Sequence, residues 1–362
     1  MEKLKIAVLL IFILILSGCS SNSSRPNVNV KLSFPSDCLL MSSISDSVSC
    51  LRLEFPEPYI VGIITDIYFV NSTVIVVDKK QGYIFRYGLD GTFLNRIGNQ
   101  GFGPEEFHQI TNVTIDEKYV YVGNVSARKI YCYAHNGDFV KCIQSTFDLM
   151  YDDIVVLPNG NFLCHDIVGY KGDGKLWIMD TDGNMRQELL LHKAIYPYSY
   201  GPFNTISYTE NRNVYKILDP ISGYLYYYNT VTDCLEVSHI FVSEMNGLEH
   251  FEGHYNLLSI KDDFAYPLFY SESETLCYMI WNTSESVALH SSFLKNDEMI
   301  QVYKRLEMDI AEYPCCSLPV STNLSGAMVM VMTNEYSSDC FPKGYDKDIL
   351  ERSLVLNVFY LK

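Results

Sequence analysis

The stretch YIFRYGLDGTFLNRI, residues 83–97, decides how the rest of the chain is interpreted. Two short runs of largely apolar residues flank Asp90-Gly91 in this stretch. An Asx-Gly pair between such runs is the strongest short-range signal of a β-hairpin, because both residues tolerate a positive φ. The arrangement returns at Asn136-Gly137 and Asp182-Gly183, in steps of 46 residues (91 to 137 to 183). A hairpin that recurs every ~40–50 residues is typical of a propeller blade.

Two weaker turns continue the series, at Thr232-Asp233 and at Asn282-Thr283. Between the turns lie short runs rich in Tyr, Val, Ile and Phe, residue types that suit a half-buried pleated surface. These runs predict five units of four strands each. The first four units cover residues 64–97, 110–143, 154–191 and 206–241. The strands predicted for the fifth unit are Leu257–Ile260, Phe264–Phe269, Leu276–Trp281 and Val287–Phe293.

The sixth unit needs a strand from the other end of the chain. Ala327–Thr333 and Leu354–Leu361 are strand-like, and only Lys362 follows them. Cys50–Phe55 alternates strictly, with apolar residues at 51, 53 and 55, and has no hairpin partner of its own. Pairing this segment with the last unit would close a ring and remove exposed sheet edges. We therefore predict an all-β fold, a six-bladed β-propeller over residues 34–362 whose N-terminal strand closes the last blade.

One segment departs from the strand pattern. Met299, Val302, Tyr303, Leu306 and Ile310 recur at helical spacing, with Lys and Glu between them. This spacing predicts a short amphipathic helix inserted before the sixth blade. Such a helix would cover part of the core or, in the alternative, dock a partner.

The N-terminal residues form an export signal. Lys3 and Lys5 precede the apolar run Ile6–Leu16, which is too short to span a bilayer as a helix and is typical of a signal peptide. Leu16-Ser17-Gly18-Cys19 resembles the bacterial lipoprotein lipobox. The resemblance implies a signal peptide over residues 1–18, lipidation of Cys19 and a flexible tether over residues 19–33. The alternative is an ordinary secretory signal followed by a chance cysteine.

The charge of the chain limits the classes of partner that it can bind. The net charge is −16, and no basic cluster follows Lys5. Nucleic acid is therefore excluded as a partner, because phosphate binding needs clustered Lys and Arg.

None of the 11 cysteines has zinc-ligand spacing. In an oxidising periplasm the possible disulfides are Cys38 with Cys50, Cys132 with Cys142, and Cys315 or Cys316 with Cys340. Several of these cysteines are equally well explained as buried apolar residues.

A family resemblance covers the whole mature chain. Arg86–Phe93 and the following IGNQGFGPEEF, residues 97–107, resemble the NHL-type repeat and, more closely, the six-bladed β-propeller lipoproteins of Bacteroidetes. The resemblance implies an outer-membrane lipoprotein of the cell envelope, often associated with glycan or nutrient uptake. Surface-displayed lipoproteins of that phylum carry acidic residues after the lipidated cysteine. Ser20–Ser24 lacks them, which favours a periplasm-facing attachment.

Polar residues recur at the start of the predicted inner strands. Each stands just before the apolar core of the first strand of its blade: Asp66, Asn112, Asp153, Thr205 and Asn256. Because inner strands line the central channel of a propeller, we expect these side chains to form a polar ring near one mouth and to bind a ligand there. The alternative is a ring that holds only water, since Asx and Thr also bond backbone N–H groups at strand entrances.

Three connecting loops that we expect to open onto that mouth are rich in aromatic side chains. The candidate ligand-binding residues in them are His108, Tyr196, Tyr198, Tyr200 and His254. Rings beside carboxylate and amide oxygens suit a sugar or a peptide through stacking and hydrogen bonds. The alternative is that the rings pack between blades, and this is our prediction for Phe102 and Phe107. For the three tyrosines both interpretations stay open.

The motifs favour a binding module over an enzyme. The chain has no GxSxG, no HExxH and no phosphate-binding loop. We predict a small-molecule, glycan or peptide ligand, membrane attachment by lipid, and no cofactor or metal. One alternative is a calcium-dependent hydrolase that resembles the six-bladed gluconolactonase and paraoxonase lactonases. In it Asp66, Asn112, Asp153 and Asn256 would offer oxygen ligands, and His108 or His254 would act as general base. The other alternative is a scaffold for an envelope protein.

Overall fold

A computed structural model describes most of the chain as β-strands. The described residues are 28–32, 36–54, 58–59, 62–146, 151, 153–166, 173–195, 205–209, 212–219, 224–243, 255–256, 265–283, 288–295, 299–310, 319–332 and 353–362. None of the helices in these ranges is long and apolar enough to cross a membrane.

The strands form six sheets, which we call blades 1 to 6. The N-terminal elements are β1 (Val28–Leu32), β2 (Ser36–Leu40), the helical turn α1 (Met41–Ile44) and β3 (Ser45–Glu54). Blade 1 contains β4 (Asp66–Val70), β5 (Thr73–Asp78), β6 (Tyr83–Gly88) and β7 (Phe93–Arg96). Blade 2 contains β8 (Asn112–Ile115), β9 (Tyr119–Asn124), β10 (Lys129–Ala134) and β11 (Phe139–Gln144), with a 3-10 turn at Val125–Ala127. Both blades match the units predicted from the sequence.

Blades 3 and 4 follow the same up-and-down order. Blade 3 contains β12 (Asp153–Val156), β13 (Phe162–Asp166), β14 (Asp173–Met179) and β15 (Met185–Ile195). Blade 4 contains β16 (Ile206–Tyr208), β17 (Val214–Asp219), β18 (Tyr224–Asn229) and β19 (Cys234–Ser243). The short β20 (Tyr255–Asn256) adds to the outer edge of blade 3.

Blades 5 and 6 complete the molecule. Blade 5 contains β21 (Ala265–Glu272), β22 (Leu276–Thr283), β23 (Ala288–Leu294) and, after the two-residue β24 (Met299–Ile300), β25 (Val302–Glu307). The short β26 (Ser321–Thr322) lies against β4 of blade 1. Blade 6 contains β27 (Ala327–Met332), β28 (Ser353–Leu361) and β3.

Six buried apolar clusters, one between each pair of neighbouring blades, hold the sheets together. Between blades 1 and 2, for example, Ile75 packs with Val113 and Tyr133. Between blades 6 and 1, Leu356 packs with Phe85. We call these clusters seams. Because the series runs from blade 1 through blade 6 and back to blade 1, the sheets form a closed ring, and the predicted six-bladed propeller is confirmed.

The predicted closing strand is also confirmed. β3 pairs antiparallel with β28 along its whole length, with Leu53 opposite Leu354 and Leu51 opposite Leu356. Leu53 is fully buried in the seam between blades 6 and 1. The closing strand is longer than predicted, since it begins at Ser45.

The segment before β3 covers two further blades. β1 pairs in parallel with β19 of blade 4, and β2 pairs in parallel with β25 of blade 5. The described residues 28–32 and 36–54 therefore lie along the outer parts of blades 4, 5 and 6, and we call them the N-terminal strap. The predicted flexible tether, residues 19–33, is corrected on this point, because residues 28–32 are a strand of a sheet.

The helix predicted over Met299–Ile310 is wrong. Val302–Glu307 is β25, which pairs with β23 and β2. Ile300 and Val302 are buried in the seam between blades 4 and 5, whereas Tyr303 and Leu306 pack against the seam between blades 5 and 6. A blade strand buries apolar residues on both faces, so its spacing imitated that of a helix.

The phase of the fifth blade was also predicted wrongly. Phe264–Phe269 was assigned to the second strand, but β21 is the first strand of blade 5 in the structure. Residues 257–264 lie outside the described ranges. The fourth strand of this blade is β25, the segment that the sequence predicted to be helical.

Three repeated hairpin turns connect the third and fourth strands of blades 1 to 3. Gly91, Gly137 and Gly183 have φ of +85°, +96° and +84°, while the Asx residue before each has no positive φ. In the first turn, Gly91 N–H donates to the carbonyl of Gly88 at 3.0 Å, and Gly88 N–H donates to the carbonyl of Thr92 at 2.9 Å. These are type I turns with a glycine bulge, rather than the two-residue turns that Asx-Gly predicted.

The repeated glycines also dock each hairpin on the preceding blade. A Cβ on Gly91 would lie 1.9 Å from the carbonyl oxygen of Arg52 on β3. At Gly137 and Gly183 the nearest atoms are the carbonyl oxygens of Arg96 and Gln144, at 2.6 and 2.2 Å. These carbonyls end the outer strands of blades 6, 1 and 2. The 46-residue spacing therefore reflects one backbone contact between blades, repeated three times.

The predicted disulfides are not formed among the described cysteines, all of which are free thiols. Cys132 lies opposite Lys141 instead of Cys142, and the two cysteines face different seams. Burial raises the pKa of the Cys132 thiol to about 12, which makes it an inert apolar side chain. The proposed bridge between Cys38 and Cys50 is also absent. The remaining candidates lie outside the described ranges: Cys315, Cys316 and Cys340.

We expect Gly91→Ala to lower the free energy of unfolding more than Gly160→Ala. Gly91 and Gly160 have φ of +85° and +84°, so each alanine carries a similar left-handed backbone cost of about 1–2 kcal/mol. The Cβ at position 160 would lie 3.7 Å from Thr181 Cγ2, an ordinary contact, whereas the Cβ at position 91 would meet a carbonyl oxygen. The extra loss for Gly91→Ala is about 1–3 kcal/mol. Urea unfolding of both variants measures it, and equal losses would show that the contact contributes nothing.

Candidate functional site

Four of the five predicted ring residues stand where the sequence placed them. Asp66, Asn112 and Asp153 open the inner strands of blades 1, 2 and 3, and Thr205 immediately precedes the inner strand of blade 4. All four side chains are buried. The alignment of blades made from the sequence is therefore correct through the first four blades.

Asn256 is the exception. It lies in β20 and pairs in parallel with Ile195 of β15, on the outer edge of blade 3. The prediction followed from the wrong phase of blade 5, whose inner strand begins only at Ala265. Asn256 therefore has no place in a ring of inner-strand residues.

Asp66 is held by a buried ion pair. The Lys79 Nζ lies 3.0 Å from Asp66 Oδ2, and the side chains are 10% and 1% exposed. The Thr65 hydroxyl donates to the same carboxylate oxygen at 2.6 Å. Lys79 immediately follows β5, so the pair joins the ends of two adjacent strands. Asp66 thus acts as the counter-ion of a lysine that the sequence had not singled out.

Asp153 connects two blades. Its Oδ1 accepts a hydrogen bond from its neighbour's backbone N–H, that of Ile154, and its Oδ2 accepts one from Ile206 N–H in blade 4, each at 2.8 Å. Burial raises the pKa of this carboxyl to about 7, while the Ile206 N–H and the Lys79 charge act in the opposite direction and Asp66 adds to the rise. Lys79 and Asp66 belong to blade 1, so charges on two blades that are not neighbours act on one another at this mouth.

Thr205 meets a histidine that the sequence had not singled out. His165 lies opposite Asp153 in the β12–β13 pairing, and its Nδ1 is 2.7 Å from the Thr205 hydroxyl oxygen. Both side chains are buried. The available signal was a histidine at the end of an otherwise apolar strand, which in most proteins indicates a satisfied core residue. Asp153, His165 and Thr205 therefore form a polar cluster between blades 3 and 4.

A cavity of about 340 Å³ lies at the centre of the ring, beside this mouth. It is lined by residues on or beside the first and second strands of blades 1, 4 and 5, by Ala327 of blade 6 and by the segment before blade 6. Thr65 and Ile206, which line the cavity, are the immediate neighbours of Asp66 and Thr205. The apolar part of the wall includes the rings of Tyr208 and Phe269. Two of the predicted ring residues, Asp66 and Thr205, are therefore next in sequence to the wall of a cavity large enough for a small molecule, although none of the predicted ring residues lines it directly.

A second buried ion pair crosses the seam between blades 4 and 5 and lines the cavity. Lys216 Nζ, from β17, contacts Glu272 Oε1 at the end of β21, and the side chains are 6% and 5% exposed. Glu272 also accepts from the hydroxyls of Tyr270 and Tyr227, the latter at 3.0 Å, and Lys295 Nζ lies 3.5 Å away. Two ammonium groups and two tyrosine hydroxyls therefore surround the Glu272 carboxylate.

Burial and charge act in opposite directions on this pair. Burial lowers the pKa of Lys216, although the Glu272 charge opposes the shift. Burial alone would raise the pKa of Glu272, but Lys216, the Tyr270 hydroxyl and Lys295 outweigh it and leave that pKa below its ordinary value. Glu272 is therefore ionised at neutral pH. The sequence signal for the pair was weak: Lys216 lies within the largely apolar strand Val214–Asp219, and Glu272 ends the largely apolar strand Ala265–Glu272.

The segment before blade 6 forms one wall of the cavity. β26 pairs in parallel with Asp66 and Ile67 of β4. The Asn323 side chain accepts from Phe69 N–H and donates to the Phe69 carbonyl, each at 2.7 Å, as a neighbouring strand would. The amide fixes residues 319–326 against the inner strand of blade 1. Nothing in the sequence pattern predicted this wall.

The predicted aromatic residues divide between core and surface. Phe107 is fully buried in the seam between blades 1 and 2, as predicted. Phe102 is 90% exposed, so the packing role predicted for it is wrong. The Glu106 carboxylate accepts from Gly103 N–H at 2.9 Å, and this closed turn leaves Phe102 at its tip. The Phe102 ring lies against the exposed His108 ring, with centroids 4.7 Å apart.

The other aromatic candidates remain predictions. They lie outside the described ranges: Tyr196, Tyr198, Tyr200 and His254.

The residues proposed as calcium ligands do not fit such a site. Asp66 faces the Lys79 ammonium at 3.0 Å, and Asn256 lies on the outer edge of blade 3. Across the described ranges, no three His, Cys, Asp or Glu side chains are grouped so that they would hold a metal ion. The predicted set of four oxygen donors therefore does not converge.

Comparisons with known proteins agree with the architecture. The family model described as "Domain of unknown function (DUF4934)" matches residues 26–356. A crystal structure of a protein named as exported, from Bacteroides fragilis NCTC 9343, superimposes with a TM-score of 0.69 at 16% identity and covers 92% of this chain and 99% of that chain. A member of the DUF4221 family from Bacteroides vulgatus ATCC 8482 gives 0.49 at 11% identity, with 88% and 99% covered. No curated protein matches the sequence. At these identities the likeness shows the fold alone.

We expect the stability of the wild type, relative to Asp153→Asn, to fall as the pH rises from 4 to 8. The pKa of Asp153 is raised from 3.8 to about 7 in the folded chain, so the protonated form is favoured by folding. The associated stabilisation is present below the unfolded pKa and is lost as the pH rises through the folded pKa. The expected change in the difference is about 2–4 kcal/mol. Urea unfolding of both proteins across this pH range measures it, and parallel curves would contradict the prediction.

Proposed function

We propose that this chain, which belongs to the DUF4934 family of domains of unknown function, is a binding module that holds a small polar ligand in its central cavity. The observation that supports the proposal is the cavity of about 340 Å³, whose wall includes the buried polar residues Lys216, Ser271 and Glu272. Small-molecule sites typically occupy about 300–1,000 Å³ and combine apolar walls with a few placed polar groups.

The wall chemistry fits a ligand with both polar and apolar surfaces. Tyr208 and Phe269 contribute rings, and Thr65 and Ser207 contribute hydroxyl groups. Aromatic faces beside hydrogen-bonding groups suit sugars and short peptides. The proposal therefore keeps the ligand classes expected from the sequence and adds the residues of the cavity wall to the predicted inner-strand and loop residues.

The buried charges also support a binding role. Lys216 and Glu272 are almost fully buried beside the cavity. A buried ion pair is weak evidence for stability, because desolvation offsets its Coulombic gain. Perturbed titratable groups in a cleft are, in contrast, a general sign of a functional site. A rigid pair of this kind would orient a ligand without rearranging.

The cell-envelope location belongs to the proposal. The lipobox-like Leu16–Cys19 supports export and lipid attachment at Cys19, and one solved relative in fold is named as an exported protein. The absence of acidic residues in Ser20–Ser24 supports attachment to the outer membrane on its periplasmic side. A binding protein in that place would serve glycan or nutrient uptake.

We expect Ser207→Phe to abolish ligand binding, because the new ring would fill the cavity from the inner strand of blade 4. Ser207 lines the cavity opposite Lys216 in the β16–β17 pairing. The control is Val231→Phe in the β18–β19 turn, where the native side chain is 74% exposed. Thermal shift against monosaccharides, amino acids and dipeptides identifies compounds that stabilise the wild type.

Such compounds are expected to stabilise Val231→Phe equally and Ser207→Phe not at all. A compound that stabilises all three proteins would place its site elsewhere. A panel without any effect on the wild type would favour the protein-scaffold alternative.

A further inference from the structure

We infer that the ligand of the central cavity is a small organic anion, bound between Lys79 and Lys216; the inference rests on the proposed cavity site. Both ammonium groups line the cavity, one from blade 1 and one from blade 4. Neither lysine was singled out by the sequence pattern, and neither is needed to complete a strand pairing.

The charge of the cavity wall is opposite to that of the molecule. The chain as a whole carries a net charge of −16. The charged residues that line the cavity are two lysines and one glutamate, Lys79, Lys216 and Glu272. A cationic wall inside a strongly acidic protein focuses an attractive potential for anions at that point.

Lys79 has hydrogen-bonding capacity left for a ligand. Among the residues that the structure describes, Asp66 is the carboxylate that contacts it, with Oδ1 and Oδ2 at 3.4 and 3.0 Å from Nζ. An ammonium group has three N–H donors. The side chain is 10% exposed, and the exposed part borders the cavity. A bound anion would accept the donors that Asp66 does not use.

Lys216 shares its counter-ion with a second lysine. Glu272 Oε1 contacts Lys216 Nζ and lies 3.5 Å from Lys295 Nζ, while Oε2 accepts from two tyrosine hydroxyls. Two ammonium groups therefore face one carboxylate, which leaves one positive charge uncompensated within this cluster. Because Lys216 is almost fully buried and shares its one carboxylate with Lys295, a ligand anion beside Lys216 would be favoured.

Among the described residues of the two lysine sites, three ammonium groups face two carboxylates. Lys79 and Asp66 form one pair, and the second cluster has two lysines for one glutamate. Asp153, a further carboxyl at this mouth, accepts from the backbone N–H groups of Ile154 and Ile206 and is not itself among the residues that line the cavity. The hydroxyls of Thr65 and Ser207 line the cavity and would form hydrogen bonds with the uncharged polar part of the ligand. This arrangement matches a hydroxylated acid such as a sugar acid.

The inference is tested with ligands that differ only in charge. The probes are D-galacturonate, D-galactose 6-phosphate and neutral D-galactose, together with succinate and succinamide. Titration calorimetry on the purified full chain at constant ionic strength gives the affinities. We expect at least one acid to bind ten-fold or more tightly than its neutral counterpart. Comparison of D-galacturonate with D-galactose 6-phosphate shows whether the site prefers a carboxylate or a phosphate.

Variants assign the preference to the lysines. Lys216→Met is expected to reduce the affinity for that acid ten-fold or more, to the level of the neutral compound, and Lys216→Arg is expected to retain part of it. Lys304→Met is the matched control, since Lys304 is 63% exposed on β25. The double variant Asp66→Asn/Lys79→Met removes the other pair without leaving a buried charge alone, so it remains informative should Lys216→Met not fold.

Two results would overturn the inference. One is a wild type that binds none of the acids more tightly than its neutral partner. The other is an acid preference that survives in the double variant and in every folded variant at Lys216. In either case, binding of a neutral compound that Ser207→Phe abolishes would leave the proposed cavity site standing. An acid that binds Ser207→Phe as well as the wild type would instead contradict the cavity site itself.

Discussion

The six apolar seams are the interaction on which the rest of the structure depends. No blade has a core of its own, because each sheet buries both faces against its neighbours. Burying one large apolar side chain contributes about 1.5–3 kcal/mol, so each seam of roughly ten residues is a major stabilising element. The seam between blades 6 and 1 includes Leu53 of the strap, so the N-terminal segment is part of the contact that closes the ring.

The ring geometry explains why the polar residues meet. Inner strands that start at one mouth bring their first residues together, whatever their distance in sequence. Asp153 of blade 3 connects two of these strands directly, because it accepts a hydrogen bond from the Ile206 N–H of blade 4. Lys216 and Glu272 likewise join blades 4 and 5 beside the cavity. The candidate site is therefore built from contacts between blades, and its geometry is as rigid as the seams.

Local chemistry accounts for what the sequence could predict. Asp90-Gly91 and its repeats mark hairpins because turn residues act within four positions, and they set the phase of the blades that carry them. The phase was lost where the turn signal faded, which misplaced Asn256. The helix predicted at β25 was wrong for another reason, because that strand buries apolar residues on both faces. Lys216 and Glu272 were missed for a different reason. The two residues lie 56 positions apart in the sequence (216 to 272), and no local sequence pattern indicates that they form an ion pair.

The strap has a consequence for the order of assembly. Its strands pair with residues that follow much later in the chain: Val28 with His239, Cys38 with Arg305 and Leu53 with Leu354. Until those partners are made, the backbone groups of β1, β2 and β3 lack their sheet hydrogen bonds, a state prone to aggregation. The long sequence separation also slows productive folding. The first strands of the propeller to be made are therefore among the last to be paired.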